Sequence, residues 1–305
     1  MNTPFFPIYL AGPTGSGKTA VAIELASAFA PLEIVNADAF QIYRGMEIIS
    51  AAPSEAEKTD IPHHLFEIID PSESCDAAHF AEVARRKITN VAETATPLVV
   101  GGSGLYLKAI THGLAPTPKS DPKLRAELDG ESLEALVGRY KDLDPEGAAA
   151  TNLRNRRYVT RNLEICLLAG EPASTIKNSW QNDQPKLCSF FLKRSREAVY
   201  ERINRRTSAM FEAGVVREIE ALGELSPTAE KAIGVREIQD LIVGKIDEQT
   251  CIEAIRQATR RYAKRQESWF KREPSFQTIE IVEDDTPETI VARILPRIQS
   301  FSPAP

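Results

Sequence analysis

The sequence predicts an α/β fold in which a parallel sheet is flanked by helices and carries a mainly helical insertion. Three observations support this class. Near the start of the chain, short apolar strands alternate with helical patterns, an order typical of βαβ units. From about Asp121, helical periodicity replaces the strand signals. Strand signals return at Lys186, so both ends of the chain are expected to build one core.

Each element is predicted from its hydrophobic period and from flanking glycine and proline residues. The core segments are 1–120 and 186–301, and the insertion is 121–185. Within them the predicted elements are strand 7–12, helix 17–30, strand 33–38, helix 77–95, strand 97–100, strand 186–192, helices 195–225 and 247–273, strand 276–282 and a helix to about 301. Residues 302–305 are expected to form a disordered tail.

Composition narrows the class of protein. The chain has 305 residues, and with 42% hydrophobic residues it can bury a sizeable core. No apolar run is long enough to cross a bilayer, and the start lacks the basic segment of a signal peptide, so a cytoplasmic protein is expected. Four widely spaced cysteines indicate buried free thiols. The net charge of −6 argues against indiscriminate nucleic-acid binding but permits a local basic surface.

A phosphate-binding loop follows the first predicted strand. The segment GPTGSGKT matches the Walker A pattern between a strand and a helix, which predicts a P-loop NTPase-like core. Backbone N–H groups and the helix N-terminus would hold phosphate oxygens, the lysine would neutralise charge, and the threonine hydroxyl of Thr19 would ligate Mg²⁺. The predicted phosphate-binding residues are Gly12, Pro13, Thr14, Gly15, Ser16, Gly17, Lys18 and Thr19. The motif indicates phosphate binding, of which ATP is only one example.

A carboxylate is expected to face these phosphates. The strand 97–100 ends in glycines, without the acid that many ATPases place there. Asp38 instead ends the strand that follows the loop by one βα unit, and strand ends of this kind line the binding crevice. Its carboxylate could ligate magnesium through water, accept a proton from a nucleophile, or cap the following turn.

Several segments together resemble the tRNA dimethylallyltransferase family. Behind the phosphate loop these are NADAFQIYRGMEI (36–48), PHHL (62–65), GGSGLYLKA (101–109), TRNLE (160–164), AIGVRE (232–237) and TRRYAKRQESWFKR (259–272). The resemblance spans about residues 7–272. It implies transfer of a dimethylallyl group from dimethylallyl diphosphate to N6 of adenine 37, beside the anticodon of tRNA, with no ATP consumed.

The resemblance implies roles for residues around the loop. Lys18, the loop amides and Mg²⁺ on Thr19 would stabilise the leaving diphosphate. Asp38 would accept the N6 proton or orient the amine. Ser103 stands where the family usually has threonine and would bond a diphosphate oxygen. Gln41 would recognise the adenine edge through a donor and an acceptor together.

The resemblance also implies a monomer that binds the anticodon stem-loop. The segment 256–272 holds seven Lys or Arg residues and one Glu, with three aromatic residues interleaved. Solvated helix faces are the alternative explanation. The tRNA-binding residues that the resemblance implies are Asp38, Ala39, Phe40, Gln41, Ser103, Arg125, Arg154, Arg157, Tyr158, Arg161, Arg236, Lys264 and Arg265. Three further candidate arginines lie in the predicted core segment 186–301, namely Arg202, Arg206 and Arg217. Each either reaches phosphate across the crevice or is a charge on a helix surface.

Three positions depart from the family pattern. Ala39 replaces the usual serine, Ala52 stands where lysine is common, and Tyr158 stands where arginine is common. These departures bear on tRNA affinity rather than on the reaction type.

Three other functions remain as alternatives. A P-loop kinase would turn over ATP, but the acid expected after strand 97–100 is missing. A prenyltransferase of free AMP or ADP would not need the basic segments. A non-catalytic RNA-binding module would not need the phosphate loop together with Asp38. Adjacent His63 and His64 could suggest a metal site, but packing or hydrogen bonding is the expected role because no third ligand is evident.

Overall fold

The computed structural model describes residues 5–180 and 185–301. Six strands occur in these ranges: β1 (Ile8–Ala11), β2 (Leu32–Asn36), β3 (His63–His64), β4 (Thr96–Gly101), β5 (Cys188–Arg194) and β6 (Gln277–Ile281). They form one sheet in the order β3-β2-β4-β1-β5-β6, and every neighbouring pair is parallel. The predicted α/β class with a parallel sheet is therefore confirmed. The tail predicted for residues 302–305 lies outside the described residues.

Helices connect and cover these strands. In chain order they are α1 (Lys18–Ala28), α2 (Glu47–Ser50), α3 (Glu55–Lys58), α4 (Ala77–Val91), α5 (Gly104–Thr111), α6 (Pro122–Asp129), α7 (Leu133–Leu143), α8 (Pro145–Ala150), α9 (Arg156–Ala169), α10 (Ala173–Trp180), α11 (Arg196–Glu212), α12 (Val215–Ala221), α13 (Val235–Ile242), α14 (Glu248–Phe270) and α15 (Pro287–Gln299). A short 3₁₀ helix covers Ala229–Lys231. No helix in the described ranges is long and apolar enough to cross a membrane.

The chain divides into two compact units. The first boundary falls after Thr111 rather than at Asp121, and the second falls before Pro185. The sheet and its covering helices form one unit. The other unit contains α6 to α10 and has its own core, which includes Leu128, Leu136 and Leu163.

Burial in the sheet unit follows the alternation of side chains along each strand. In β1, Ile8 and Leu10 join a core cluster with α1 and α15, whereas Tyr9 and Ala11 join the larger cluster on the other face. Because both faces of the sheet are covered, the central strand β1 (IYLA) is fully buried, and its neighbours β4 and β5 are mostly apolar.

One predicted helix is interrupted. The pattern over 195–225 forms two helices, α11 and α12, because Gly214 has φ +93° and starts a new helix there. A side chain in this backbone region is strained, so glycine permits the break. The interruption matters for the site because α11 lines the cavity described below, whereas Glu218 on α12 accepts from the N–H groups of Ile48 and Ile49 behind it.

Candidate active site

The carboxyl ends of three neighbouring strands meet beside the phosphate loop. The loop follows β1, Asp38 follows β2, and Gly102 follows β4, with β4 hydrogen-bonded between the other two strands. Gly17 has φ +92°, which lets the loop turn into α1. Local sequence therefore dictates the loop, and the parallel topology brings the other two strand ends to it.

A cavity of about 570 Å³ opens at this edge of the sheet. Residues predicted from the sequence to act there do line it, namely Thr14, Gly15, Gly17, Lys18, Thr19, Asp38, Phe40 and Gln41. Ser103 lies two residues after Gly101, which lines the cavity, and directly before α5, but Ser103 itself does not line it. The hydrogen bond from Ser103 to a diphosphate oxygen therefore stays a prediction.

Lys18 is held inward by its own loop. Its Nζ donates to the carbonyl oxygens of Gly12 at 2.8 Å and Pro13 at 3.2 Å. Burial lowers the pKa of Lys18 to about 8, against the opposing effect of the Asp38 carboxylate. Burial also lowers the pKa of Arg206, which faces the same carboxylate. An incoming anion would compensate both of these half-buried positive charges.

This low pKa predicts that diphosphate binding weakens as pH rises through about 8. An anion favours the protonated lysine, so binding is strongest below pH 8 and each complex formed above pH 8 takes up a proton. Titration calorimetry in two buffers of different ionisation enthalpy would detect this uptake. Lys18→Arg is the control, because arginine stays charged over this range.

Diphosphate itself also titrates, and it does so equally for both proteins. The difference in the pH dependence of binding between wild type and Lys18→Arg therefore reports the titration of Lys18. Equal pH profiles for the two proteins would contradict a Lys18 pKa near 8.

Asp38 caps a turn and also faces the cavity. Its Oδ1 accepts from the Phe40 N–H at 3.1 Å, and no hydrogen bond to its Oδ2 is formed within the described residues. The buried side chain of Asn36 fixes the backbone at Asp38, since Asn36 Oδ1 accepts from the Asp38 N–H at 2.8 Å. Capping and cavity-facing roles are thus compatible, and the free oxygen is available to an amine.

Of the donor and the acceptor of the Gln41 side-chain amide, only the acceptor is free within the described residues. Its Nε2 donates to the carbonyl oxygens of Ser50 at 3.3 Å and Ala51 at 2.9 Å. The Gln41 donor is therefore occupied by the protein's own backbone, and recognition of adenine through a donor and an acceptor together stays a prediction. Its Oε1 alone is available, and an acceptor suits the N6 amino group of adenine.

Several further cavity residues lie on α11 and α14. On α11, Arg202, Arg206 and Met210 line the wall at intervals of four residues, whereas Arg217 is exposed on α12. On α14, Ile255, Thr259 and Tyr262 line it with helical spacing. The spacing of four among the α11 residues was a usable signal, but only the structure shows which face is turned toward the cavity.

The cavity is polar beside the loop and apolar further away. Arg202 lies against Gly17, with its Nη2 3.5 Å from the position of an added Cβ. Met210 follows Arg202 by eight residues, a rise of about 12 Å along a helix. Along with Met210 the lining includes Ile49 and Ile255, and all three are buried in the larger core cluster. Such a wall suits a ligand with an anionic head and a short apolar tail.

In the sheet unit, the basic residues that are predicted to bind tRNA are exposed. Lys264 and Arg265 lie on the solvent face of α14, and Arg265 contacts the Tyr262 ring at 5.6 Å. Arg236 is exposed and pairs with Glu230 at 3.5 Å.

The basic residues of the helical unit divide into two groups. Arg154, Arg157 and Tyr158 are exposed at the start of α9, where they are free to contact a partner. Arg125 and Arg161 both pair with Glu164, which is fully buried. The guanidinium groups hold the pKa of Glu164 at about 2 against the effect of burial. These two arginines therefore stabilise this unit whatever else they bind.

The remaining candidates for metal or redox chemistry have structural roles. His64 bonds Glu33 at 2.6 Å, and His63 bonds the Ile61 carbonyl at 2.7 Å. No group of three His, Cys, Asp or Glu residues that could hold a metal occurs in the part of the chain that the structure describes. All four cysteines are buried free thiols, as predicted.

A family model, related sequences and solved structures all match this chain and point to the same family. The family model described as IPP transferase matches residues 41–273. A tRNA dimethylallyltransferase of Akkermansia muciniphila is 42% identical over 94% of this chain and 98% of the relative. One of Syntrophobacter fumaroxidans is 39% identical over 94% and 86%.

Solved structures give the same result. The full-length tRNA isopentenylpyrophosphate transferase of Bacillus halodurans superposes with a TM-score of 0.69 at 30% identity, covering 97% of each chain. A eukaryotic dimethylallyltransferase acting on tRNA gives a TM-score of 0.77 at 26% identity, covering 95% of this chain and 77% of the other. The family that the sequence motifs resemble is thereby confirmed. This chain, with its phosphate loop, Asp38 and the cavity beside them, thus belongs to the IPP transferase family.

Proposed function

We propose that this protein transfers the dimethylallyl group of dimethylallyl diphosphate to N6 of adenine 37 in tRNA. The relatives that cover nearly the whole chain are named tRNA dimethylallyltransferases, a name that gives the transferred group and the acceptor RNA. The observation that carries the proposal is the composition of one cavity, where the phosphate loop and Asp38 share a wall with Ile49, Met210 and Ile255. An allylic diphosphate matches both parts of that wall.

The proposed step is a substitution at the allylic carbon C1. The N6 amine of adenine forms the N–C1 bond as the C1–O bond to diphosphate breaks. Asp38 takes the proton that N6 loses, so the product is a neutral secondary amine and the leaving group is diphosphate. Lys18 and Arg206 stabilise the charge that accumulates on diphosphate as the C1–O bond breaks.

Mg²⁺ fits this site through few protein ligands. Thr19 lines the cavity and offers its hydroxyl, and Asp38 faces the same space. Magnesium commonly keeps several waters and binds substrate phosphates with only one or two protein groups. When bound, the ion would supply further neutralisation of the diphosphate. We therefore propose Mg²⁺ as the cofactor.

The acceptor is proposed to be an unpaired loop base of tRNA. Gln41 Oε1 can accept from the N6 amine, and a single-stranded base can be turned into a pocket at modest cost. The exposed residues Lys264, Arg265, Arg154 and Arg157 are proposed to contact backbone phosphates, and Tyr158 to stack. We propose a cytoplasmic monomer, since the site is complete within one chain.

The test combines purified protein, Mg²⁺, dimethylallyl diphosphate and unmodified tRNA that carries adenine beside the anticodon. Mass spectrometry of the digested product should show one prenylated adenosine. The matched control is the same tRNA with guanine at that position. AMP and ATP serve as parallel substrates. Prenylated AMP without prenylated tRNA, or ATP hydrolysis without prenyl transfer, would overturn the proposal in favour of the corresponding alternative.

A further inference from the structure

Gln266 on α14 is a buried polar side chain that joins two separate turns of the site. It is 4% exposed. Its Oε1 accepts from the Thr14 N–H of the phosphate loop at 3.0 Å, and its Nε2 donates to the Gly102 carbonyl at 2.8 Å. One amide therefore connects the turn after β1 to the turn after β4.

The turn after β4 is shaped to receive this amide. A Cβ added to Gly102 would lie 2.4 Å from Gln266 Nε2 and 3.0 Å from the Gly12 carbonyl oxygen, so the glutamine amide would have to move. Glycine at this position therefore lets Gln266 Nε2 reach the Gly102 carbonyl without that shift. This close approach gives a physical reason for a glycine in the GGSG segment.

The helix that carries Gln266 is fixed independently of the loop. One turn later, Phe270 stacks on Phe191 with ring centroids 4.7 Å apart and meets the Phe276 ring edge-on at 5.2 Å. Because this aromatic packing holds the end of α14 against β5, the position of Gln266 is set by the core. The loop is then held by the glutamine, rather than the glutamine by the loop.

We propose that Gln266 is a positioning residue that keeps the phosphate loop in its anion-binding shape. It holds the Thr14 N–H, while the Ser16 N–H donates to the Pro13 carbonyl at 3.1 Å, so the first turn of the loop is fixed from outside and from within. Preorganised donors lose no free energy to rearrangement when the anion binds. The identity of that anion as the diphosphate of the donor rests on the proposed function.

The experiment compares Gln266→Met with wild type. Methionine keeps the length of the side chain but removes both hydrogen bonds. The expected result is a rise of about tenfold in the Kd of inorganic diphosphate with Mg²⁺ and in the KM for the donor, while kcat and tRNA affinity change by less than about threefold. Gln257→Met is the matched control, because Gln257 lies exposed on the same helix and its side chain accepts from Arg261, away from the loop.

Gln266→Glu gives a second test that a purely structural role would not satisfy. A protonated carboxyl presents one acceptor and one donor, as the amide does, whereas the carboxylate has lost the donor and repels diphosphate. The ratio of its diphosphate Kd to that of wild type is therefore expected to fall toward one as pH is lowered from about 8 to about 6, because burial raises the pKa of a carboxyl group.

A Gln266→Met protein that binds diphosphate within about twofold of wild type would overturn the inference. So would an equal loss of diphosphate binding, tRNA binding and thermal stability, since that pattern indicates general damage. Diphosphate binding is measured without the transfer reaction. If wild type transfers no prenyl group but Gln266→Met still binds diphosphate more weakly, the proposed function fails and the role of Gln266 stands.

Discussion

Replacement of Asp38 by asparagine is expected to lower prenyl transfer by about 10²- to 10⁴-fold while diphosphate binding persists. Asparagine keeps the size of the side chain and can still accept from the Phe40 N–H. It cannot accept the proton of the N6 amine. The transfer rate would be measured at saturating donor and tRNA, and the Kd of inorganic diphosphate by calorimetry.

The control for this substitution is Asp76→Asn. Asp76 caps α4 by accepting from Ala78 and His79, and asparagine caps helices equally well. Its transfer rate should match that of wild type. If Asp38→Asn also turned over at the wild-type rate, the assignment of Asp38 as the proton acceptor would be wrong, and its role would be confined to the turn.

The parts of this site that sequence predicts are those encoded locally. The phosphate loop depends on glycines, a lysine and a threonine at fixed spacing, and a strand and helix on either side confirm its context. Asp38 was found because parallel strands end at one edge of a sheet, so a carboxylate after the next strand must come near the loop. Neither inference needs knowledge of side-chain contacts.

The parts that sequence leaves out depend on long-range packing. Gln266 is 252 residues from Thr14, and a glutamine in a basic helix resembles a solvated residue until the fold is known. The donor of Gln41 is occupied by Ser50 and Ala51, which sequence cannot show because that turn is defined only when the chain has folded.

Charge in the helical unit illustrates the same limit. Arg125 and Arg161 belong to basic motifs that suggest RNA contact, yet both pair with the buried carboxylate of Glu164. The spacing of Arg161 and Glu164 on one helix face was a signal for one of these pairs. The partner of Arg125 lies on a different helix, and no local pattern identifies it.

Replacement of Lys18 by methionine is expected to weaken both diphosphate binding and transfer by about 10²- to 10³-fold. Methionine keeps the apolar stem but removes the charge that faces the phosphates. It also removes the bonds from Nζ to Gly12 and Pro13. Calorimetry with inorganic diphosphate and a steady-state assay would measure the two losses, and tRNA affinity should change little.

Lys193→Met tests whether any nearby cation would serve. Lys193 is the penultimate residue of the neighbouring strand β5 and pairs with Glu280 at 2.7 Å, outside the cavity beside the loop. Diphosphate binding by this variant should stay within about twofold of wild type, because an exposed pair is screened by solvent. Equal losses in Lys193→Met and Lys18→Met would show that net charge, rather than the position of Lys18, controls binding.

The two active-site variants are informative together because they separate binding from chemistry. Asp38→Asn should lose transfer and keep diphosphate, whereas Lys18→Met should lose both, since the same charge that binds the diphosphate also stabilises its departure. If Lys18→Met lost binding but kept its rate at saturating donor, the lysine would contribute equally to ground state and transition state. The stabilisation of the leaving group would then have to come from Arg206 and the loop amides.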